Sequence, residues 1–261
     1  MVSEIIFGAE FDKIDWIQIN SETPIEGNNS GSHLGQSIGI SADGKIVAVG
    51  ETGWNGNGDT SGRVLVYQQN NSGIWIVTGG ENSISGARTG SQLAASLAIS
   101  KDGKTVAVSE PYWTGEGSGD SPNASRIIVY RQNSSGIWTV TGGEFSMTGT
   151  NSNDAAGSSV AISADGKIVV IGESGWDGNG TNSGRARAYQ LINGVWAITG
   201  GETSMAGATT DDAAGSSVAI SADGKIVVIG EPGWDGNGFN SGRARAYQQN
   251  NIGIWTVTGG E

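Results

Sequence analysis

The sequence predicts an all-β protein, a β-propeller of four-stranded antiparallel blades. Three observations predict this fold class: one pentapeptide recurs along the chain, its copies lie about 60 residues apart, and short β-runs fill each interval. The copies occupy residues 41–45, 163–167 and 221–225 as Ser-Ala-Asp-Gly-Lys, and residues 100–104 as the variant Ser-Lys-Asp-Gly-Lys. A repeat of this length with four short strands is typical of a propeller blade.

The third unit shows the four strands most clearly. Residues 159–163 alternate between apolar and polar side chains, and residues 168–172 form a second apolar run. Asp165 and Gly166 lie between these runs, where an Asp-Gly pair predicts a tight hairpin turn. After a long Gly-rich loop, residues 185–189 and 195–199 have the pattern of a third and a fourth strand.

We predict one propeller domain over residues 1–261. Its parts are an N-terminal segment, 1–33, and four blade repeats, 34–90, 91–156, 157–214 and 215–261. Residues 16–19 resemble a further fourth strand, so we expect four complete blades plus an extra N-terminal strand or half-blade. Three arrangements remain open: a four-bladed ring with a spare strand, an incomplete five-bladed ring, or a strand that completes a neighbouring chain.

The connection between units keeps its register from one unit to the next. An apolar residue follows each fourth-strand tryptophan by nine positions, as Ile84 follows Trp75. The corresponding residues are Ile25, Met147 and Met205. We therefore expect an ordered connection anchored by one buried side chain, and we expect the fourth-strand tryptophans to pack between blades.

Composition excludes several classes of function. The net charge of −12 argues against a nucleic-acid partner, because a phosphate backbone requires a basic surface. The chain has no cysteine, which excludes disulfides and thiolate metal sites. No apolar run is long enough for a membrane span, and residues 1–22 lack the pattern of a signal peptide. The single histidine, His33, offers little for Ser-His-Asp catalysis.

The long loops between second and third strands are the predicted binding site. Because strands alternate in direction, these loops and the connections between units lie on one face of the propeller. The candidate ligand-binding residues are Trp54, Trp113, Trp176, Trp234, Asn57, Asn179 and Asn237. The tryptophans either fasten the loops to the blades or form exposed stacking platforms for sugars and other flat ligands.

The same loops contain a candidate calcium site. Asp177 and Asp235 each begin the sequence Asp-Gly-Asn-Gly, in which oxygen-bearing side chains alternate with glycine. Such a pattern can wrap Ca²⁺, which takes six to eight oxygen ligands. A tight turn is the alternative interpretation. We expect no required cofactor, with Ca²⁺ as the one candidate ion.

Each long loop is also flanked by opposite charges. A glutamate ends every second strand and an arginine begins every third strand, as Glu173 and Arg185 do. The other pairs are Glu51 with Arg63, Glu110 with Arg126, and Glu231 with Arg243. We expect an ion pair across the base of each loop. The alternative is a ring of carboxylates around the axial mouth that binds a cation or serves as a glycosidase acid and nucleophile.

Three short segments resemble the FG-GAP repeat family, the integrin-α-like propeller repeats of surface proteins. Residues 157–160 match its Phe-Gly-x-x-Val position, 229–232 its Gly-Ala-Pro position and 241–247 its Gly-x-Val-Tyr position. Ala156 and Ala214 stand where phenylalanine is usual. The resemblance implies adhesion or recognition at an extracellular or surface location. The family's calcium loop between the first two strands is expected to be absent, because that turn has a single carboxylate.

From these features we predict a non-enzymatic recognition or adhesion module that binds a glycan or a protein surface through its long-loop face. One alternative is a structural, self-assembling protein whose spare N-terminal strand completes a neighbouring chain. Another is a glycan-processing enzyme that uses the repeated glutamates. The expected partners are a glycan or protein surface and further copies of the chain, with no nucleic acid and no membrane span.

Overall fold

The computed structural model describes residues 25–113, 125–144, 147–151 and 153–259. These ranges form strands, turns and loops, without a helix, which confirms the predicted all-β class. It follows that no helix in this part of the chain is long and apolar enough to cross a membrane.

The strands group into four sheets, which we number as blades in chain order. Blade 1 contains β1 (Leu34–Ile40), β2 (Ile46–Glu51), β3 (Arg63–Gln69) and β4 (Trp75–Val77). Blade 2 contains β5 (Leu97–Ile99), β6 (Thr105–Glu110), β7 (Arg126–Gln132) and β8 (Trp138–Val140). Blade 3 contains β9 (Ala156–Ile162), β10 (Ile168–Glu173), β11 (Arg185–Ile192) and β12 (Val195–Thr199), followed by the short strand β13 (Met205–Ala206). Blade 4 contains β14 (Ser217–Ile220), β15 (Ile226–Glu231), β16 (Arg243–Gln249) and β17 (Trp255–Thr258).

Every blade is an antiparallel sheet whose four strands lie in chain order, as predicted. The extra strand in this part of the chain is β13, which pairs with the beginning of β11 in blade 3. The predicted N-terminal strand around Trp16 falls on residues outside the described ranges.

The recurring pentapeptide is a self-contained turn. In blade 3, Ser163 Oγ donates to Asp165 Oδ1 at 2.7 Å. The backbone N–H of Lys167 donates to the same carboxylate oxygen at 3.0 Å, and that of Ile168 donates to Ser163 Oγ at 3.0 Å. Gly166 has φ of +70°, a left-handed conformation that glycine adopts without steric cost. The serine, aspartate and glycine recur because the two side chains and the glycine torsion make this turn.

The hydrophobic cores lie between blades. Each of three clusters joins one face of a blade to the opposite face of the next blade. Between blades 3 and 4, for example, Val170 and Ala188 pack in one cluster with Ile229 and Tyr247. A single sheet cannot bury both of its faces, so each blade depends on its neighbours for stability.

Fourth-strand tryptophans fill the outer part of these interfaces, as predicted. The buried indoles of Trp138, Trp196 and Trp255 each lie against a glycine that follows the fourth strand of the preceding blade. Those glycines are Gly79, Gly142 and Gly200. Three of the four predicted anchors of the connections are also confirmed, because Ile84, Met147 and Met205 are fully buried, whereas Ile25 is only partly buried.

The first strands lie together at the centre of the arrangement. β1 packs beside β5, β5 beside β9, and β9 beside β14. They line a groove of about 350 Å³ with residues 38–40, 97–99, 160–162 and 218–220. Successive blades therefore turn about a common axis, with the long loops on one face and the Asp-Gly turns on the other.

We expect Gly166→Ala to destabilise the protein more than Gly44→Ala. Both glycines have nearly the same φ, +70° and +71°, so alanine costs each position about 1–2 kcal/mol. A Cβ at Gly166 would also lie 2.7 Å from Thr105 Oγ1 of blade 2, whereas a Cβ at Gly44 would meet nothing within 4 Å. Crowding of this kind typically costs about 1–3 kcal/mol more.

Urea denaturation of the two variants measures this difference. Equal losses of unfolding free energy would contradict the packing of the blade 3 turn against blade 2.

Candidate functional site

A buried ion pair closes the base of every long loop, as predicted. Glutamate and arginine face each other across the second and third strands, as Glu173 and Arg185 do in blade 3. The arginine Nε lies at 2.5–2.7 Å from the glutamate Oε2 in all four blades. The carboxylates are at most 1% exposed. The loops are thus tied at their bases by charge-assisted hydrogen bonds.

Blades 3 and 4 add a second arginine to the pair. Arg187 and Arg245 each contact the other oxygen of their blade's glutamate. Arg187 also donates to the carbonyl oxygen of Thr148 at 2.7 Å, which links blade 3 to the connection that precedes it. Burial raises the pKa of the Glu173 carboxyl above its ordinary value, and the two adjacent guanidinium groups oppose this shift.

Blades 1 and 2 have Leu65 and Ile128 at the position of the second arginine. In blade 2, Glu110 Oε1 is buried and has no hydrogen-bond partner among the described residues. A glycosidase carboxylate must contact the bond that it cleaves. The glutamates of all four blades are instead enclosed beside arginine, so this geometry favours the structural interpretation of these residues.

The same arginines hold the loop tryptophans. The guanidinium carbon of Arg185 lies 4.8 Å from the ring centre of Trp176, within the range of a cation–π contact. The corresponding distances are 5.2 Å for Arg63 with Trp54, 4.9 Å for Arg126 with Trp113, and 4.8 Å for Arg243 with Trp234. Each blade therefore contains a glutamate–arginine–tryptophan stack, which we call the loop stack.

Each indole is half-buried in its loop stack. The backbone of the loop itself packs against it in three blades, since a side chain at Gly56, Gly178 or Gly236 would overlap the preceding tryptophan ring. The tryptophans thus fasten the loops and leave part of each ring open to solvent. Their role in ligand binding stays a prediction.

Two of the candidate asparagines hold the connection that follows their loop. Asn57 Nδ2 donates to the carbonyl oxygen of Gly86 at 2.9 Å, and Asn179 Nδ2 donates to that of Gly207 at 2.7 Å. Asn237 in blade 4 is exposed and has no such connection beside it in the described chain. Sequence patterns missed this structural role, because the acceptor carbonyls lie almost 30 residues farther along the chain.

The candidate calcium ligands are used within their turns. Asp177 Oδ1 accepts the backbone N–H of Asn182 at 2.7 Å, and Asp235 Oδ1 accepts that of Asn240 at 2.6 Å. In the ranges that the structure describes, no group of three or more His, Asp or Glu side chains could hold a metal ion. The tight-turn interpretation explains these hydrogen bonds, and calcium binding stays a prediction without further support here.

No protein-family model and no curated protein matches this chain. Solved structures do. A Bacteroides uniformis protein, named provisionally as a 6-phosphogluconolactonase, is 14% identical with a TM-score of 0.54, and the match covers 87% of this chain and 53% of that one. The periplasmic gluconolactonase PpgL of Pseudomonas aeruginosa is 14% identical with a TM-score of 0.52, over 85% of this chain and 56% of that one.

The fold is a β-propeller. A third match, TolB from Acinetobacter baumannii, has a TM-score of 0.43 at 16% identity and covers 85% of this chain and 42% of that one. The present chain thus spans about half the length of the proteins that it matches. At these identities the likeness concerns the propeller architecture alone, and membership of the FG-GAP family is not confirmed.

The prediction that the chain is not an enzyme is wrong. The lack of a familiar catalytic motif in the sequence favours that prediction, yet two solved structures with the propeller architecture are named as lactonases. One fold carries many unrelated activities, so the propeller does not exclude catalysis.

We expect Glu173→Gln to lower the free energy of unfolding by about 3–5 kcal/mol, because it leaves two buried guanidinium groups with only the exposed Glu202 carboxylate as a counter-ion. Glu202→Gln is the matched control. The Glu202 carboxylate lies 3.3 Å from Arg185 Nη1, but its side chain is 57% exposed. We expect this change to cost at most about 1 kcal/mol, as for exposed ion pairs.

Chemical denaturation compares the two variants. Similar losses for both would show that the buried pair does not stabilise the loop base.

Proposed function

We propose that this propeller binds a glycan on its long-loop face, through the four indoles of the loop stacks. The observation that carries the proposal is that each indole is fixed in position and still partly exposed. A rigid aromatic side chain contributes contact area without losing much conformational freedom on binding. The loop stacks are thus organised before a ligand arrives.

Polar groups surround these indoles. In blade 3, Asp177 and Asn179 are exposed beside Trp176, and in blade 4 Asp235 and Asn237 are exposed beside Trp234. A sugar ring has an apolar face of C–H groups and a rim of hydroxyls, which suits an aromatic surface bordered by carboxylates and amides. The net charge of −12 favours a neutral or cationic glycan over a sulfated or phosphorylated one.

Repetition strengthens the proposal. Residues 156–190 and 214–248 differ only at Ser174/Pro232 and Thr181/Phe239, so blades 3 and 4 present nearly the same loop. Weak binding at each blade becomes avid when one ligand, or a surface with many copies of it, spans two blades.

We expect neutral glycans to bind on a glycan array. Trp176→Ala and Trp234→Ala are each expected to weaken the affinity for the tightest-binding glycan about tenfold, because each variant loses one aromatic contact of about 1.4 kcal/mol. Ile252→Ala is the control, because Ile252 is an exposed apolar residue in a turn on the opposite face. Calorimetric titration measures the affinities, and circular dichroism confirms that each variant is folded.

The proposal fails if no glycan binds. It also fails if folded tryptophan variants bind as tightly as the Ile252 control.

A further inference from the structure

Among the described residues, no blade packs against the outer face of blade 1 or of blade 4, whereas every face between blades has a neighbour. At one end lies the head face, which consists of Val228, Ala244 and Ala246 on blade 4 together with Phe239 in its loop. Val228 is 39% exposed and Phe239 is 89% exposed. At the other end lies the tail face, which consists of Ile38, Ile40, Tyr67 and Trp75 on blade 1.

The head face is a copy of a surface that already binds a blade. Val228, Ala244 and Ala246 occupy the positions of Val170, Ala186 and Ala188 in blade 3. Those three blade 3 residues are fully buried against blade 4. The same side chains on the same strands are therefore buried in one blade and open in the next, because no described blade packs against this face of blade 4.

The tail face has the complementary features. Ile38 is 70% exposed, whereas Leu97 at the same position of blade 2 is buried against blade 1. Trp75 is half-buried, in contrast to the other described fourth-strand tryptophans, which lie against a glycine of the preceding blade. The matching glycine at the head is Gly259, and a Cβ there would meet nothing within 4 Å. The tail thus has a tryptophan without its glycine, and the head has a glycine without its tryptophan.

The backbone hydrogen bonds between blades also leave complementary donor and acceptor groups at the two ends of the blade series. On the turn face, each blade donates to the next: Ala42 N to Lys101 O at 3.0 Å, Lys101 N to Ala164 O at 3.1 Å, and Ala164 N to Ala222 O at 3.0 Å. This series leaves the N–H of Ala222 at the head and the C=O of Ala42 at the tail without main-chain partners in the described ranges.

The loop face repeats this arrangement. The connection after blade 1 donates to the loop of blade 1, as Gly90 N does to Asp59 O at 2.7 Å and Gln92 N does to Thr60 O at 3.0 Å. At the head, the corresponding carbonyls of Phe239 and Asn240 accept no main-chain hydrogen bond from a described residue. At the tail, the corresponding N–H groups of Gly31 and His33 make none.

Two different complementary surfaces on one molecule join head to tail, and they close into a ring when the rotation between copies permits.

We infer that two copies of this chain associate head to tail, so that each head face receives the tail face of the other copy. The partner is a second copy because the surface that fits the head face is a tail face of this same sequence. The contact is blade on blade and does not require exchange of an N-terminal strand. Its side chains are apolar, and each chain carries a net charge of −12, so added salt strengthens the association.

Sedimentation velocity over a wide range of protein concentrations tests the inference. We expect the unaltered chain to sediment as a pair of 26.6 kDa chains. Val228→Glu alters the head face and Ile38→Glu alters the tail face, and each variant alone is expected to sediment as a single chain. Both side chains are substantially exposed in one copy, so the variants fold, which thermal melting checks. Ile252→Glu, which changes an exposed residue of the outer turn, is expected to pair like the unaltered chain.

An equimolar mixture of Val228→Glu and Ile38→Glu distinguishes a head-to-tail contact from a contact between identical faces. The first variant retains a tail face and the second retains a head face, so the mixture recovers one interface and sediments as a weaker pair. Identical-face contacts would not be recovered by mixing. The inference is overturned if the unaltered chain stays single at every concentration, as it would if its own residues 1–24 covered the tail face. It is also overturned if the two variants pair like the Ile252 control.

Discussion

Face-to-face packing of successive blades is the contact on which the rest of this structure depends. Each four-stranded sheet has apolar side chains on both faces, and a single sheet leaves both of them in water. The three clusters between blades bury these faces, with small side chains such as Ala186 and Ala188 that allow the sheets to approach closely. Stability in such a repeat is a sum of units and interfaces, so the end blades differ from the interior ones in exposure although their sequences are alike.

The loop stacks follow from that packing. Once the second and third strands are held in register, Glu173 and Arg185 face each other in a site closed to solvent, where an unpaired charge would be costly. The paired arginine then lies against Trp176, and the tryptophan holds the loop. The buried pair thus maintains the conformation of the loop. The exposed loop positions can differ without disturbing it, as Thr181 and Phe239 do between otherwise matching blades.

Because the strands form the scaffold and the loops vary, the propeller fold does not by itself indicate an activity for this chain. Propellers of similar shape are named as lactonases, and the likeness resides in the strands and their twist. Chemistry resides in the loops, where this chain places fixed indoles beside exposed amides and carboxylates. The proposed glycan recognition and the inferred pairing of two copies concern different surfaces, the loop face and the end faces, so the two can be gained or lost separately.

Features confined to one hairpin could be read from the amino-acid order. The Asp-Gly turn, the four strands and the Glu173–Arg185 pair involve residues that are near in sequence or set opposite by strand register, and all are present. The stacking of arginine on the loop tryptophans, the role of Asn57 and the exposure of Val228 could not be read in this way. The arginine–tryptophan contact depends on how a loop folds back over its own blade, whereas the other two features depend on how the following connection or the adjacent blade is placed. Blades 3 and 4 show the reason: nearly identical segments have different surroundings, because burial is decided by the neighbour and not by the segment.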